Sequence, residues 1–126
     1  MVEIEKVYRV DGFIFENIEN AEKFKFFIEK YNYNKMQKDI IYSGLKNKLN
    51  VSLYAKHNFT SEQMYQIREG LEKGLDVSIY AKPEYPTEQM SLIREALEKG
   101  EDVTDLLDPN KNWIEMFADQ FFKNLK

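Results

Sequence analysis

No cysteine occurs in the 126 residues, and there is one histidine, His57, and one tryptophan, Trp113. Without cysteine the chain has no disulfide, no thiolate nucleophile and no cysteine-ligated metal. A lone histidine acting as a base needs a nucleophile or an orienting carboxylate, and no motif places one beside His57. It reads as a surface loop residue. The five glycines fall at turns and helix ends rather than in a phosphate-binding loop, and neither HExxH nor GxSxG is present. No motif implies a cofactor. These absences point away from an enzyme. No apolar run approaches the roughly 18 residues of a membrane span, and the acidic opening MVEIEKVYRV lacks the basic-then-apolar pattern of a secretory signal. The expected location is therefore the cytoplasm of a bacterial cell or a phage-infected host.

What is present favours a folded chain. Hydrophobic residues make up 43% and charged residues 32%, enough apolar surface to offset the entropy of ordering. The length suits one compact domain, or a small unit joined to a short array. The net charge of −4 is unevenly spread: residues 35–59 carry five basic and one acidic side chain, whereas 60–110 carry five basic and twelve acidic ones. An acidic stretch is ordinarily a solvated helix face. Its sharper reading is a negative surface that meets a basic partner or imitates nucleic acid.

In the first third, KVYRVDGFIFEN holds two aromatic and β-branched runs around Asp11-Gly12, a pair suited to a type I′ hairpin turn. Val7, Arg9, Phe13 and Phe15 are read on one set of alternating positions, and Tyr8, Val10 and Ile14 on the other. Ile18, Ala21, Phe24 or Lys25, Ile28 and Tyr31 then recur at helical spacing, with Asn17 or Asn20 as the cap. The unit reads β-β-α. Tyr8, Phe13 and Phe15 could stack on single-stranded nucleic acid, but the segment is net acidic and core packing is the better reading.

The rest of the chain repeats itself. LNVSLYAKHNFTSEQMYQIREGLEKG, residues 49–74, is followed by LDVSIYAKPEYPTEQMSLIREALEKG, residues 75–100. The copies share Leu, Val-Ser, Tyr-Ala-Lys, Glu-Gln-Met, Ile-Arg-Glu and Leu-Glu-Lys-Gly, 16 of 26 positions. A shift of 26 exposes worn copies on either side. Tyr33, Gln37, Ile41, Gly44 and Leu45 fall where Phe59, Gln63, Ile67, Gly70 and Leu71 recur; Val103, Thr104, Pro109 and Met116 fall where Val77, Ser78, Pro83 and Met90 stand. Degenerate end copies are what a stacked array needs, because its ends face water.

Each copy is expected to hold a helix of about three turns. Ser61 and Thr87 serve as caps, Met64, Ile67 and Leu71 (then Met90, Ile93 and Leu97) form the apolar stripe, and Gly74 and Gly100 end the helix. LDVSIYAK is read as a second, short helix capped by Asn50 or Asp76 and ended by Pro83. Gly70 and Ala96, beside the stripe, are expected to let a neighbouring helix approach closely. The fold class is thus mainly α with a small N-terminal β-hairpin (α+β): a hairpin-plus-helix unit over residues 1–32, then a long-helix/short-helix array over 33–126.

The pattern LDVS-x-YA-x-P, then EQM, then IR-x-GLE-x-G resembles a short repeat of Gram-positive bacterial, phage and mobile-element proteins. The likeness covers residues 33 to about 117, and YRVDGFIFENIENAEKF looks like the openings of small phage-encoded proteins. The first copy lacks EQM, and the third puts Leu106-Leu107 in place of Tyr-Ala. The resemblance implies an accessory protein that binds and redirects a host protein such as a nuclease or regulatory complex, anti-CRISPR inhibitors being one example.

Packing explains the repeated Met, Ile, Leu and Gly, which leaves the charged and tyrosine positions as the candidate partner-binding surface. These are Tyr54, Lys56, Arg68, Glu69 and Glu72, and in the next copy Tyr80, Lys82, Arg94, Glu95 and Glu98. The alternative is a nucleic-acid binder using Lys35, Lys38, Lys46, Lys48 and Lys56, against which the net acidity weighs. Asp102, Asp105 and Asp108 match no calcium-loop spacing and are read as structural, with Asp102 as a cap. Trp113, Phe117, Phe121 and Phe122 suit a last helix that seals the core, any exposed part of which would make an anchor for a partner.

Overall fold

The computed structural model describes residues 6–110 together with 112, 114, 115, 118, 121 and 122. Strands β1 (Tyr8–Val10) and β2 (Phe13–Phe15) form an antiparallel hairpin in which Tyr8 faces Phe15 and Val10 faces Phe13. Asp11 and Gly12 both take positive φ, 52° and 84°, as the two-residue turn requires. Cross-strand partners share a face, so Tyr8, Val10, Phe13 and Phe15 pack inward together while Arg9 and Ile14 point out. The expected grouping of Phe13 and Phe15 with Val7 and Arg9 is therefore corrected by the register of the turn.

Helix α1 (Ile18–Lys30) covers the inward face of the hairpin. Asn17 is its cap, accepting from the Glu19 and Asn20 amides, while the Asn20 side chain donates across to the Leu45 carbonyl. Phe24 is completely buried, its ring 4.9 Å from Phe13 and 5.2 Å from Phe15. Tyr42 from the next helix closes this aromatic group at 4.9 and 5.0 Å from the same two rings. Its hydroxyl donates to the Ile14 carbonyl at 2.6 Å, which ties the hairpin to the array. Ile18, expected on the apolar stripe, is exposed.

Three helices of equal length follow, α2 (Lys35–Lys46), α3 (Ser61–Glu72) and α4 (Thr87–Glu98), each 12 residues long and each followed by a 3-10 turn, at Val51–Leu53, Val77–Ile79 and Thr104–Leu106. The short helices of the sequence reading are these turns. Neighbouring helices pack in chain order, α1 on α2, α2 on α3 and α3 on α4. Contacts join residues 25 apart near the C-terminal ends, Ser43 to Arg68, Asn47 to Glu72 and Lys73 to Glu98, so α2, α3 and α4 run parallel. Their apolar stripes meet the turns in one hydrophobic cluster that extends from Phe15 to Leu106.

The caps sit one residue earlier than the sequence reading placed them. Thr60, not Ser61, caps α3, and Pro86, not Thr87, holds the cap position of α4, without a side-chain bond. In α2 and α3 a glutamine three residues on completes a capping box: the Gln37 side chain accepts from the Asn34 amide and Gln63 from Thr60, each at 2.9 Å. Gly74 and Gly100 end their helices with φ of 71°, and Lys48 holds the equivalent position of α2 with φ of 60°. Phe121 and Phe122, expected to seal the core, are exposed; Trp113 and Phe117 lie outside the described residues.

Candidate functional site

The repeated tyrosines are part of the fold. Tyr54 and Tyr80 are completely buried, and their hydroxyls donate to the Ile40 carbonyl at 2.8 Å and the Gln66 carbonyl at 2.7 Å, the same contact 26 residues apart. Each hydroxyl lies against a glycine: a Cβ on Gly44 would stand 1.9 Å from the Tyr54 oxygen, and one on Gly70 would stand 2.1 Å from that of Tyr80. The close approach at Gly70 is thus made by the tyrosine of its own following turn, and not by a neighbouring helix. In the third unit Ala96 replaces the glycine and Leu106 replaces the tyrosine, so the methyl and the hydroxyl never compete. Burial raises the pKa of both tyrosines, against a smaller lowering by the nearby arginines. Tyr33, buried beside Tyr31, is pushed up to about 12 by desolvation. Side chains placed this way present nothing to a partner, and Tyr54 and Tyr80 are withdrawn from the candidate surface.

Most of the charged positions face the preceding repeat. Arg68 is 18% exposed and Arg94 is 13% exposed. Arg68 donates to Ser43 of α2 and to Glu69, lies 3.9 Å from Glu72, and stacks over the Tyr65 ring at 5.2 Å. Arg94 donates to Gln66 of α3 at 2.8 Å and to Glu98, which also takes a 2.9 Å bond from Lys73. The lysine bond, with Arg94 beside it, holds the Glu98 carboxyl below its ordinary pKa. Glu72 accepts from Asn47 at 3.2 Å. Arg68, Glu69, Glu72, Arg94 and Glu98 therefore form a ladder that joins successive helices. Lys56, Lys82 and Glu95 remain exposed.

Three glutamines form a second repeated contact that sequence reasoning missed. The side-chain amide of Gln37 donates to the Phe59 carbonyl, that of Gln63 to Pro83 and Tyr85, and that of Gln89 to Leu106 and Asp108. Each helix start is thereby sewn to the loop that enters or follows the next unit. Recurrence of glutamine at 37, 63 and 89 was the available signal.

Of the basic residues of segment 35–56, Lys35 pairs with Asp39 at 3.5 Å, Lys38 pairs with Asp11 at 2.7 Å, and Lys46 lies 5.3 Å over the Tyr42 ring. Two of the five charges are thus neutralised within the chain. Asp102 accepts from the Thr104 amide and hydroxyl, and Asp108 from the Asn110 amide, which are local turn contacts. Among the described residues no group of three or more acidic or histidine side chains is placed to hold a metal ion. His57 stacks on Tyr31 at 4.7 Å in an exposed loop.

A groove of about 330 Å³ lies along the seam of α2 and α3, with Thr87 at the start of α4 among its lining residues. Met36, 62% exposed, and Tyr65, 44% exposed, stand in it above Ile40; Asp39, Glu62, Ser61, Gln66 and Thr87 complete it. Neither Met36 nor Tyr65 belongs to the repeat. Glutamates 62 and 88 occupy the equivalents of position 36, and Asp39 and Ser91 those of position 65. Compared with family models, with curated proteins and with solved structures, the chain matches none.

Proposed function

We propose that the chain is a non-enzymatic protein-binding module, an accessory protein of phage or mobile-element type that engages a host protein in the bacterial cytoplasm. The observation that carries this reading is the pair of exposed apolar side chains, Met36 and Tyr65, standing in one groove with acidic residues at its margin. Both depart from the repeat pattern, so stacking does not require them. An apolar groove with a polar margin is the usual anatomy of a docking surface. The repeat's likeness to phage and mobile-element sequences supports the host-factor setting, and inhibition of a host nuclease of the CRISPR type belongs to the same reading. No described helix is long and apolar enough to cross a membrane.

The test is co-purification from a bacterial lysate with the tagged chain at low and at high salt, followed by reconstitution with the purified candidate. A stoichiometric complex that survives high salt is expected. Recovery of no specific partner at either salt would reject the reading.

A further inference from the structure

We infer that the groove over the α2–α3 seam takes a lysine- or arginine-rich amphipathic segment of a partner protein. An apolar side chain of that segment lodges between Met36 and Tyr65, and flanking cations meet Asp39 and Glu62. This rests on the protein-binding reading and assigns its surface and the chemistry of its partner.

The shape calls for a segment rather than a point ligand. A second depression, lined by Asn34, His57, Asn58 and Phe59, shares Met36, Ser61 and Glu62 with the first, so Met36 borders both. The floor is already fixed. Tyr65 lies under the Arg68 guanidinium and Gln66 is bonded to Arg94, so little ordering remains when a partner arrives.

The charge chooses the partner. The ionised side chains lining the first depression are Asp39 and Glu62, both acidic, and Glu88 follows Thr87 at its end. The nearby arginines are engaged with Ser43, Glu69, Gln66 and Glu98. Lys35 makes a 3.5 Å pair with the groove's Asp39 while remaining 85% exposed, and exchange of such a pair for an incoming cation costs little. A negative groove with an apolar floor favours a cationic amphipathic segment and repels an acidic one. A second copy of this chain fits poorly, because residues 60–110 carry twelve acidic against five basic side chains.

The experiment uses the whole chain labelled at the methionine methyls, with buried Met64 and Met90 as internal references. The probes are three short helical peptides: leucine with lysine, the same leucine pattern with glutamate, and the lysine peptide with its leucines replaced by serine. The leucine–lysine peptide is expected to shift the Met36 methyl saturably, with an affinity that falls as salt rises. Measured by calorimetry, Met36→Ser/Tyr65→Ser should weaken the same peptide about tenfold or more, with the Met64 and Met90 methyls unmoved. Asp39→Asn/Glu62→Gln should flatten the salt dependence. Equal binding of the glutamate or serine peptide, shifts that bypass Met36, or affinity unchanged in both double variants would overturn the assignment. The two readings fail separately. Equal capture of a lysate partner by the wild type and by Met36→Ser/Tyr65→Ser removes the groove and leaves protein binding standing. Capture of no partner removes protein binding, while a saturating Met36 shift still upholds the groove's preference.

Discussion

Replacing Gly70 by alanine should destabilise the protein, although alanine is the better helix former. In an open helix interior the exchange gains about 1 kcal/mol. Here the new Cβ would lie 2.1 Å from the Tyr80 hydroxyl and 2.7 Å from the Val77 Cγ1, well inside contact distance. The hydroxyl must move, and with it goes the 2.7 Å bond to the Gln66 carbonyl. Losing that buried bond costs about 1–3 kcal/mol, and forcing a methyl into a filled site costs about 1–3 kcal/mol more. Set against the propensity gain, the middle of the range is a loss of about 3 kcal/mol, or about 10 °C in melting temperature for a chain of this size. Urea and thermal unfolding followed by circular dichroism read it directly. The third unit supplies the rescue, because Ala96 coexists there with Leu106. Gly70→Ala/Tyr80→Leu should therefore be more stable than the sum of its single variants by about 2 kcal/mol. A Gly70→Ala protein more stable than wild type, or strict additivity in the cycle, would refute the reasoning.

Three further outcomes follow from the same repeat comparison. Lys48→Gly should raise stability by about 0.5–1 kcal/mol, because Lys48 holds a left-handed φ of 60° where the other units use glycine, and Gly74→Lys should lower it comparably; denaturant midpoints decide. Pro86→Thr should stabilise by about 1 kcal/mol net of the lost proline rigidity, since Pro86 has no amide to give the Gln89 side-chain oxygen, which is buried without a hydrogen-bond partner among the described residues; an unchanged midpoint would count against the capping-box account. Alkali should unfold the protein: Tyr33, Tyr54 and Tyr80 have folded pKa values raised above the ordinary 10, so between about pH 10 and 12 the unfolded chain has lost protons that the folded chain keeps. The stability they support is complete below about pH 10 and falls by up to about 1.4 kcal/mol per tyrosine per pH unit above it; tyrosinate absorbance that reaches the full amplitude of all eight tyrosines with the circular dichroism intact would contradict this.

How much of this was legible in the sequence depends on the range of each contact. The hairpin turn at Asp11-Gly12, the helix-ending glycines and the three-turn helices are local, and each carried its own residue signature. The caps fall one residue before the expected Ser61 and Thr87: Thr60 and Ser61 both offer a hydroxyl, so only backbone geometry separates cap from first helical position, whereas Pro86 offers none and takes the cap position by its extended backbone alone. The tyrosine-to-glycine contact spans ten residues, Gly44 to Tyr54 and Gly70 to Tyr80, and matches neither helical nor strand spacing. Its trace was the paired change to Ala96 and Leu106. The arginine ladder joins residues about one repeat apart, a separation at which charge patterns along one helix carry no information.

That comparison inverts the rule for finding a functional surface in a repeated chain. Identity between copies at Tyr54 and Tyr80, or at Arg68 and Arg94, marks what the two central units use in order to stack, and all four are occupied in doing so. A binding surface cannot be required by every unit if it faces only one partner, so it belongs among the positions where copies disagree without harm to packing. Met36 and Tyr65 satisfy that condition twice over. Each is apolar where its equivalents are acidic or small and polar, and each is exposed where burial gives it no reward. Exposed apolar area is unfavourable in water by roughly 25 cal/mol per Å² relative to the same area covered, so a surface that holds two such side chains in one groove gains most from a partner that covers both.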